Sequence, residues 1–386
     1  MRKKINENID CQFAGGNGTQ EDPYLISNIK HLNNVGKHLG KYFKQIEDID
    51  FKSDTTAFNT IGITNYPEVC FKNPFNGNYN GNGYKISLNG PLFWKIGQRG
   101  IVEDLIVESY FSSQEDSTGV LAYTNNGLIE DCSCNIEIEG KDVVGGLVGT
   151  NNGHIFKCFV DGNVNGNENI GGIAGINYGS IYNAFTSGIY EGNFCGGITG
   201  QNHGDIEQCF SKSVLEGGEV VGGIAGLNNG YISEGRTING YSGSNHIGGA
   251  VGVNDKDGLI INCEAKGTIY YGTSSLIQFF EGDSQQTTVG KLVAINHGLI
   301  KYSFCNVVVK DFNTSDKMVG NNKGGIIDSY IYEEADQQVS GDNQASKYSE
   351  WDTDTVWSFN EGRPYLRWGK DKWKLKRNIM FKSELR

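Results

Sequence analysis

The sequence predicts an all-β fold: a single-stranded parallel β-helix (β-solenoid) of about nine coils with ~26 residues per coil. An N-terminal helical cap and an aromatic C-terminal cap are expected to close it. Three observations carry this expectation. Gly accounts for 55 of 386 residues and Pro for only 5, so tight turns are frequent and a collagen-like composition is excluded. A short motif, Asn-x-Gly-x-Ile, returns at a near-constant interval. Fixed positions inside that interval also keep fixed residue types.

The motif reads "NNGLIEDC", "NNGHIFKC", "NYGSIYNA", "NHGDIEQC", "NNGYISEG", "DKDGLIINC", "NHGLIKYS" and "NKGGIIDS". Its glycines are Gly127, Gly153, Gly179, Gly204, Gly230, Gly258, Gly298 and Gly324, at gaps of 26, 26, 25, 26, 28, 40 and 26. The gap of 28 reflects a two-residue insert in "VNDKDG", and the gap of 40 holds about 14 extra residues, placed around 272–288 where they could overhang a groove. A worn earlier copy is expected at "GQRGIVEDL", around Gly100. Antiparallel propeller blades fit less well, because they usually repeat at about 40 residues or more.

Ranks within the repeat justify the coil. Two residues after each motif Gly stands Ile, from Ile129 to Ile326. Five after it the side chain is small, as in Cys132, Cys158, Ala184, Cys209, Gly235 and Cys263. Like residues stacked ~4.8 Å apart would fill one slot of an interior repeatedly. A position that accepts Ala and Gly is defined by size, so these cysteines are expected to be buried small hydrophobes rather than a disulfide or metal framework. Asn at 125, 151, 177, 202, 228, 296 and 322 is placed to form a stacked amide ladder.

The ends read differently. In "SNIKHLNNVGKHLG", Ile29, Leu32, Val35 and Leu39 fall on one helical face, with Ser27 as expected N-cap and Gly40 at the stop. Trp351, Trp357 and "RPYLRW" supply the bulk for the far cap. The organisation expected is an N-terminal extension (1–14), cap helix and first coils (15–95), repeat solenoid (96–340), and C-terminal cap with basic tail (341–386).

The Gly-Gly openings "GGLVGTN", "GGIAGIN", "GGITGQN" and "GGIAGLN" make the chain resemble the GLUG-motif repeat family. Such repeats occur in bacterial surface adhesins and in the non-catalytic part of IgA-specific metallopeptidases. "GNGTQEDPYLIS", "FNGNYNGNGYKISL" and "WSFNEGRPYLRW" extend the likeness from about Gly15 to Trp368. The resemblance implies a secreted or cell-surface β-helical module that binds a carbohydrate or protein. It transfers no catalytic residue and no cofactor. No ordinary signal peptide stands at the start, since "MRKKINENIDCQFAGG" lacks an apolar region.

Charge and residue type narrow the chemistry. A net charge of −12 disfavours nucleic-acid binding, and no apolar run reaches the ~18 residues of a membrane span. The charge is uneven: 363–386 carries nine Lys/Arg and two Asp/Glu, a balance of +7 that could meet an anionic surface, pack on the acidic body or stay solvated. No HExxH, CxxC or dinucleotide loop occurs, so no catalytic residue, metal or cofactor is expected. The candidate ligand-binding residues are the rank six after the motif Gly: Phe159, Phe185, Phe210, Phe304 and Tyr330, interrupted by Arg236 and Glu264. If the positions on either side face inward, alternation turns this rank outward as an aromatic strip. The alternatives are a polysaccharide lyase or hydrolase of the β-helix type, for which Asp131 and Lys157 are neighbouring-coil candidates, and a purely structural spacer.

Overall fold

The computed structural model of the chain describes residues 12–51, 58–65, 70–243, 245–271, 287–310, 317–331, 348–360 and 363–369. The expected insert around 272–288 falls almost wholly outside them.

Among the described residues most coils contribute a strand to each of three parallel sheets, which form the walls of a rod. We call these walls the Ile, broad and Asn sheets. In the coil of Gly153 they receive His154–Phe156, Phe159–Asn165 and Ala174–Asn177 respectively. Register is like over like: Ile129 pairs with Ile155, Ile155 with Ile181, and Asn125 with Asn151. The worn copy near Gly100 is a full coil, its Val102 pairing with Ile129 and its Asn125 with Asn151 of the next coil.

The interior follows the ranks. Ile129, Ile155, Ile181, Ile206, Ile232, Ile260 and Ile300 are at most 1% exposed, and the small rank Cys132–Cys158–Ala184–Cys209–Cys263 is wholly buried. The motif glycines answer a close approach: a Cβ on Gly153 would stand 2.2 Å from the Gly127 carbonyl oxygen, and one on Gly204 2.0 Å from that of Gly179.

Two residues after the Ile rank the backbone turns through a left-handed residue. Asp104, Asp131, Lys157, Asn183, Gln208, Glu234, Asn262, Tyr302 and Asp328 have φ between 42° and 57°. This conformation costs a non-glycine residue ~1–2 kcal/mol, and Asp and Asn tolerate it best. Five of these nine are Asp or Asn. The turn keeps its hydrogen bonds, since Asp131 N donates to the Phe156 carbonyl at 3.0 Å and Lys157 N to that of Tyr182 at 3.0 Å. The broad sheet begins immediately after it.

At the other corner the asparagines form one continuous chain. Nδ2 of Asn125, Asn151, Asn177, Asn202, Asn228, Asn254 and Asn296 each donates to Oδ1 of the next at 2.8 Å, ending on Asn322. Asn254 completes the ladder; the "DKDG" insert lies after it, which hid it from the Asn-x-Gly spacing. The amides from Asn125 to Asn296 are fully buried. From Asn125 to Asn254 each also donates to a carbonyl in its own corner, as Asn202 does to Gly204 at 3.0 Å.

The N-terminal end is covered by helix α1 (Ile29–Val35), with Ile29, Leu32 and Val35 buried. The cap is Asn28 rather than Ser27: Asn28 Oδ1 accepts from His31 N at 2.9 Å, while Ser27 Oγ contacts the His31 ring. The helix stops at Gly36, short of Gly40. Beneath it, Phe43, Phe75, Tyr79 and Phe93 fill the first coils with rings. At the far end Tyr348, Trp351, Trp357 and Leu366 form an aromatic cluster with Phe304. This cluster lies along the flank of the last coils: Trp357 Nε1 donates to Asn262 Oδ1 at 3.1 Å and Trp351 Nε1 to the Asp328 carbonyl at 2.8 Å.

Asn202→Ala is expected to lower stability by about 2–4 kcal/mol, because it orphans a buried donor on Asn177 and a buried acceptor on Asn228. Asn322→Ala, at the exposed end of the ladder, is expected to cost under about 1 kcal/mol. Urea unfolding of the two variants checks the contrast, and equal losses would show that the ladder is not continuous in energy.

Candidate functional site

The broad sheet has the longest strands, such as Ser133–Glu139 at 7 residues and Phe210–Gly222 at 13, against 3 or 4 on most coils of the other sheets. Alternation along them is regular. In Ser133–Glu139, Cys134, Ile136 and Ile138 are buried while Asn135, Glu137 and Glu139 are exposed. The outer side of this sheet is therefore a surface assembled from four ranks, the first of which is the aromatic rank.

The aromatic rank forms a stacked column at the rim. Phe159 and Phe185 lie 5.0 Å apart and within 6° of parallel, and Phe185 meets Phe210 edge-on at 5.1 Å. The Arg236 guanidinium sits 5.1 Å from the Phe210 centroid, continuing the stack as a cation over a ring face. Arg236 Nε then pairs with Glu264 Oε2 at 3.1 Å, and Lys266 Nζ also contacts this carboxylate, which is fully buried. The charged interruption in the sequence is thus a self-neutralised segment of one column. Phe304 and Tyr330 follow it, packed with the C-terminal aromatic cluster, and Phe304 is 1% exposed. Stacking leaves Phe159 and Phe210 only 7% and 8% exposed, so the column offers ring edges, chiefly that of half-buried Phe185.

The other outward ranks carry what the spacing of the motif did not reveal. Among the described residues, six of the nine exposed large apolar side chains lie on this surface: Tyr110, Ile189, Val214, Ile238, Tyr270 and Val308. Tyr110 pairs with Glu137 and Glu137 with Asn163, and Ile189 pairs with Val214. Beside that rank, Ser112, Glu139, Asn165, Glu191, Glu216 and Ser242 stand in register across successive coils. Between Tyr110 and Ile189 the surface sinks into an open groove of about 510 Å³, whose polar walls are Glu137, Glu139, Asn163, Asn165 and Glu191. Among the described residues that line it, none is basic. Burial and the neighbouring Glu216 push the Glu191 carboxyl above its usual value. Burial and Glu108, whose carboxylate accepts the phenol's hydrogen bond at 3.2 Å, push Tyr110 up likewise.

The remaining candidates separate. Asp131 and Lys157 do stand on neighbouring coils, 4.0 Å apart, but at the left-handed corner, where Glu130 shares the ammonium at 4.0 Å. Among the described residues no three His, Cys, Asp or Glu side chains are grouped to hold a metal ion, and no helix is long and apolar enough to cross a membrane. Seven of the described cysteines are buried free thiols. Burial raises Cys209 and Cys263 to about 12, so both are thiols at neutral pH.

Glu264→Gln is expected to cost about 3–5 kcal/mol, since it leaves Arg236 and Lys266 without their buried counter-charge. Replacing the pair by Arg236→Phe with Glu264→Phe should recover a large part of that loss by restoring the ring column. A double-mutant cycle on denaturation midpoints checks this, and simple additivity would contradict it. In the native protein the seven buried thiols should resist a thiol reagent at pH 8 and react only on unfolding, read by absorbance with and without denaturant.

Comparison with known proteins identifies the repeat. Residues 243–270 match the family model described as the GLUG motif. A Gly-rich protein of Evansella cellulosilytica, provisionally named a membrane protein, is 35% identical over 139 residues, spanning 32% of this chain and 16% of that relative's length. Among solved structures, a chain from Bacteroides ovatus provisionally assigned as an immunoglobulin A1 protease is 18% identical over 93% of this chain and 96% of its own, with a TM-score of 0.39. An IgA1 protease is 12% identical over 77% of this chain and 23% of its own, with a TM-score of 0.49. The matched segment contains Gly248, Gly249, Asn254, Gly258, Ile260 and Cys263, which occupy the ranks that recur in every neighbouring coil. Residues 243–270 thus form a GLUG motif, and the neighbouring coils repeat its ranks.

Proposed function

We propose that the protein is a non-catalytic binding module, secreted or displayed at a cell surface, that holds a carbohydrate or protein ligand on the outer side of its broad sheet. One observation carries this reading: most of the exposed large apolar side chains among the described residues are gathered on that one surface, beside a groove walled by carboxylates and amides. Scattered single apolar residues are ordinary on protein surfaces, whereas a gathered set beside polar groups marks an interaction site. The arrangement suits a sugar chain, whose apolar ring faces would lie on Tyr110, Ile189 and Val214 while its hydroxyls bond Glu137, Asn163 and Asn165. The column of Phe159, Phe185 and Phe210 borders the same surface and extends it by the edge of Phe185, with Phe304 and Tyr330 continuing the rank beneath the aromatic cluster.

The comparison with a relative provisionally named as a membrane protein supports placement at a surface. A glycan array run beside a reducing-end assay tests the proposal. Retention without cleavage is expected, with at least a tenfold loss of retention for Tyr110→Ser combined with Ile189→Ser and a smaller loss for Phe185→Ser. The first two substitutions are at solvent-facing positions, so folding should be unchanged by circular dichroism. New reducing ends would instead favour a polysaccharide-processing β-helix, and retention indifferent to these substitutions would move the site elsewhere.

A further inference from the structure

We propose that the groove of the broad sheet takes a polycationic glycan, a linear chain of hexosamine units with free amino groups, in preference to neutral or acidic sugars. This assignment rests on the carbohydrate reading of the same groove and goes on to name the sugar. The groove crosses four broad-sheet strands, from Tyr110 on the coil of Gly100 to Glu191 on that of Gly179. Its carboxylates are uncompensated: among the described residues no basic side chain pairs with Glu137, Glu139, Glu191 or Glu216. Elsewhere on this sheet carboxylates have partners, Glu108 with Lys85 at 3.4 Å and the buried Glu264 with Arg236 and Lys266. The corner that follows the groove adds Glu115, Asp116, Asp142, Glu168 and Glu219 against Lys141, whose ammonium already contacts Asp116. Such a field repels an acidic chain and draws in a free amine. Glu191, disfavoured as a carboxylate by burial and by Glu216, gains a cationic neighbour when the amine arrives.

The floor favours a sugar over a polypeptide. Ser133–Glu139 pairs along its whole length with Ile106–Ser112 on one side and Phe159–Asn165 on the other. A docking peptide therefore finds no free edge there, and its own amides would lie unpaired over a completed sheet. A pyranose chain needs only side-chain partners, and Asn163 and Asn165 stand among the carboxylates to supply them. The long axis of the groove runs along the rod for three coil steps, about 14 Å. A pyranose unit is about as long as a coil is high, so successive units meet successive coils. Glu139 and Glu191 share one rank two coils apart, with Asn165 between them. In a β-linked chain that flips at each unit, every second amine faces the same side, which is the interval of these two carboxylates. Tyr110 and Ile189 lie at the two ends of the trough, placed to meet apolar ring faces. Exposed ion pairs are individually weak, so the preference comes from several amines on one chain.

The test is calorimetric titration of the full chain with a linear β-linked glucosamine hexamer, the same hexamer fully N-acetylated, a galacturonic acid hexamer and hexalysine. At pH 6 and low salt the amine hexamer is expected to bind at least tenfold more tightly than the acetylated one, and the acidic hexamer not to bind. Raising NaCl to 0.5 M should weaken the amine hexamer at least fivefold. The variant Glu139→Gln/Glu191→Gln, checked for folding by circular dichroism, should shrink the preference for amine over acetylated hexamer at least fivefold. Equal affinity for the two hexosamine hexamers would overturn the inference and leave the carbohydrate reading standing. Hexalysine bound as tightly as the amine hexamer would overturn it by showing that charge alone is read. Failure of all three sugar hexamers would overturn it too, and the glycan array then shows whether the carbohydrate reading falls with it.

Discussion

A primary amide can give and take a hydrogen bond along one line, and that capacity organises this molecule. Asn is the residue whose side chain is short enough to sit at a corner and still reach the equivalent corner one coil away. Once one Asn is buried there, its neighbours must also be Asn, because any other choice strands a donor on one side and an acceptor on the other. The seven equal bonds from Asn125 to Asn322 thus impose a register on every coil between them. The Ile rank, the close-packed motif glycines and the left-handed corner all inherit their alignment from it. Hydrophobic burial supplies the driving force for coiling, but the ladder excludes coils stacked one residue out of step.

The interior of the rod was legible in the sequence because inward positions repeat in kind. Ile at one position and small residues at another could be read as stacked slots, and both are buried as such as far as the coil of Gly298, whereas Ile326 in the last coil is 39% exposed. Outward positions repeat in place but not in kind. Tyr110, Glu137, Asn163, Ile189 and Val214 share a rank and no chemistry, so the groove could not be found from spacing alone. The aromatic rank was visible, yet the amount of ring left to solvent depended on stacking between coils. The left-handed corner was hidden for a related reason: Lys157, Gln208 and Tyr302 give no sign of positive φ, and only the excess of Asp and Asn hints at it. Two departures from the spacing are local. Ser27 and Asn28 are both good caps, and the hydrogen bond to His31 N selects the second. Asn254 escapes the Asn-x-Gly spacing because its corner is two residues longer.

Function on such a scaffold is separable from folding to an unusual degree. Inward ranks hold the coils together, and the outer surface of the broad sheet is free to change residue by residue. The column from Phe159 to Tyr330 shows the intermediate case. Its Arg236–Glu264 segment replaces rings with an ion pair, and is tolerated because each charge has a partner in the same column.

The aromatic cluster on the flank has a mechanical consequence. A solenoid pulled along its axis can open like a zipper, one coil at a time, each released coil freeing about 90 Å of chain. Trp357 and Trp351 bridge the coils of Asn262 and Asp328 from outside the winding. Peeling of the last turns must first lift this latch, so load is shared across several coils at once. The end of the rod with the fewest buried neighbours is thereby the one that is clamped.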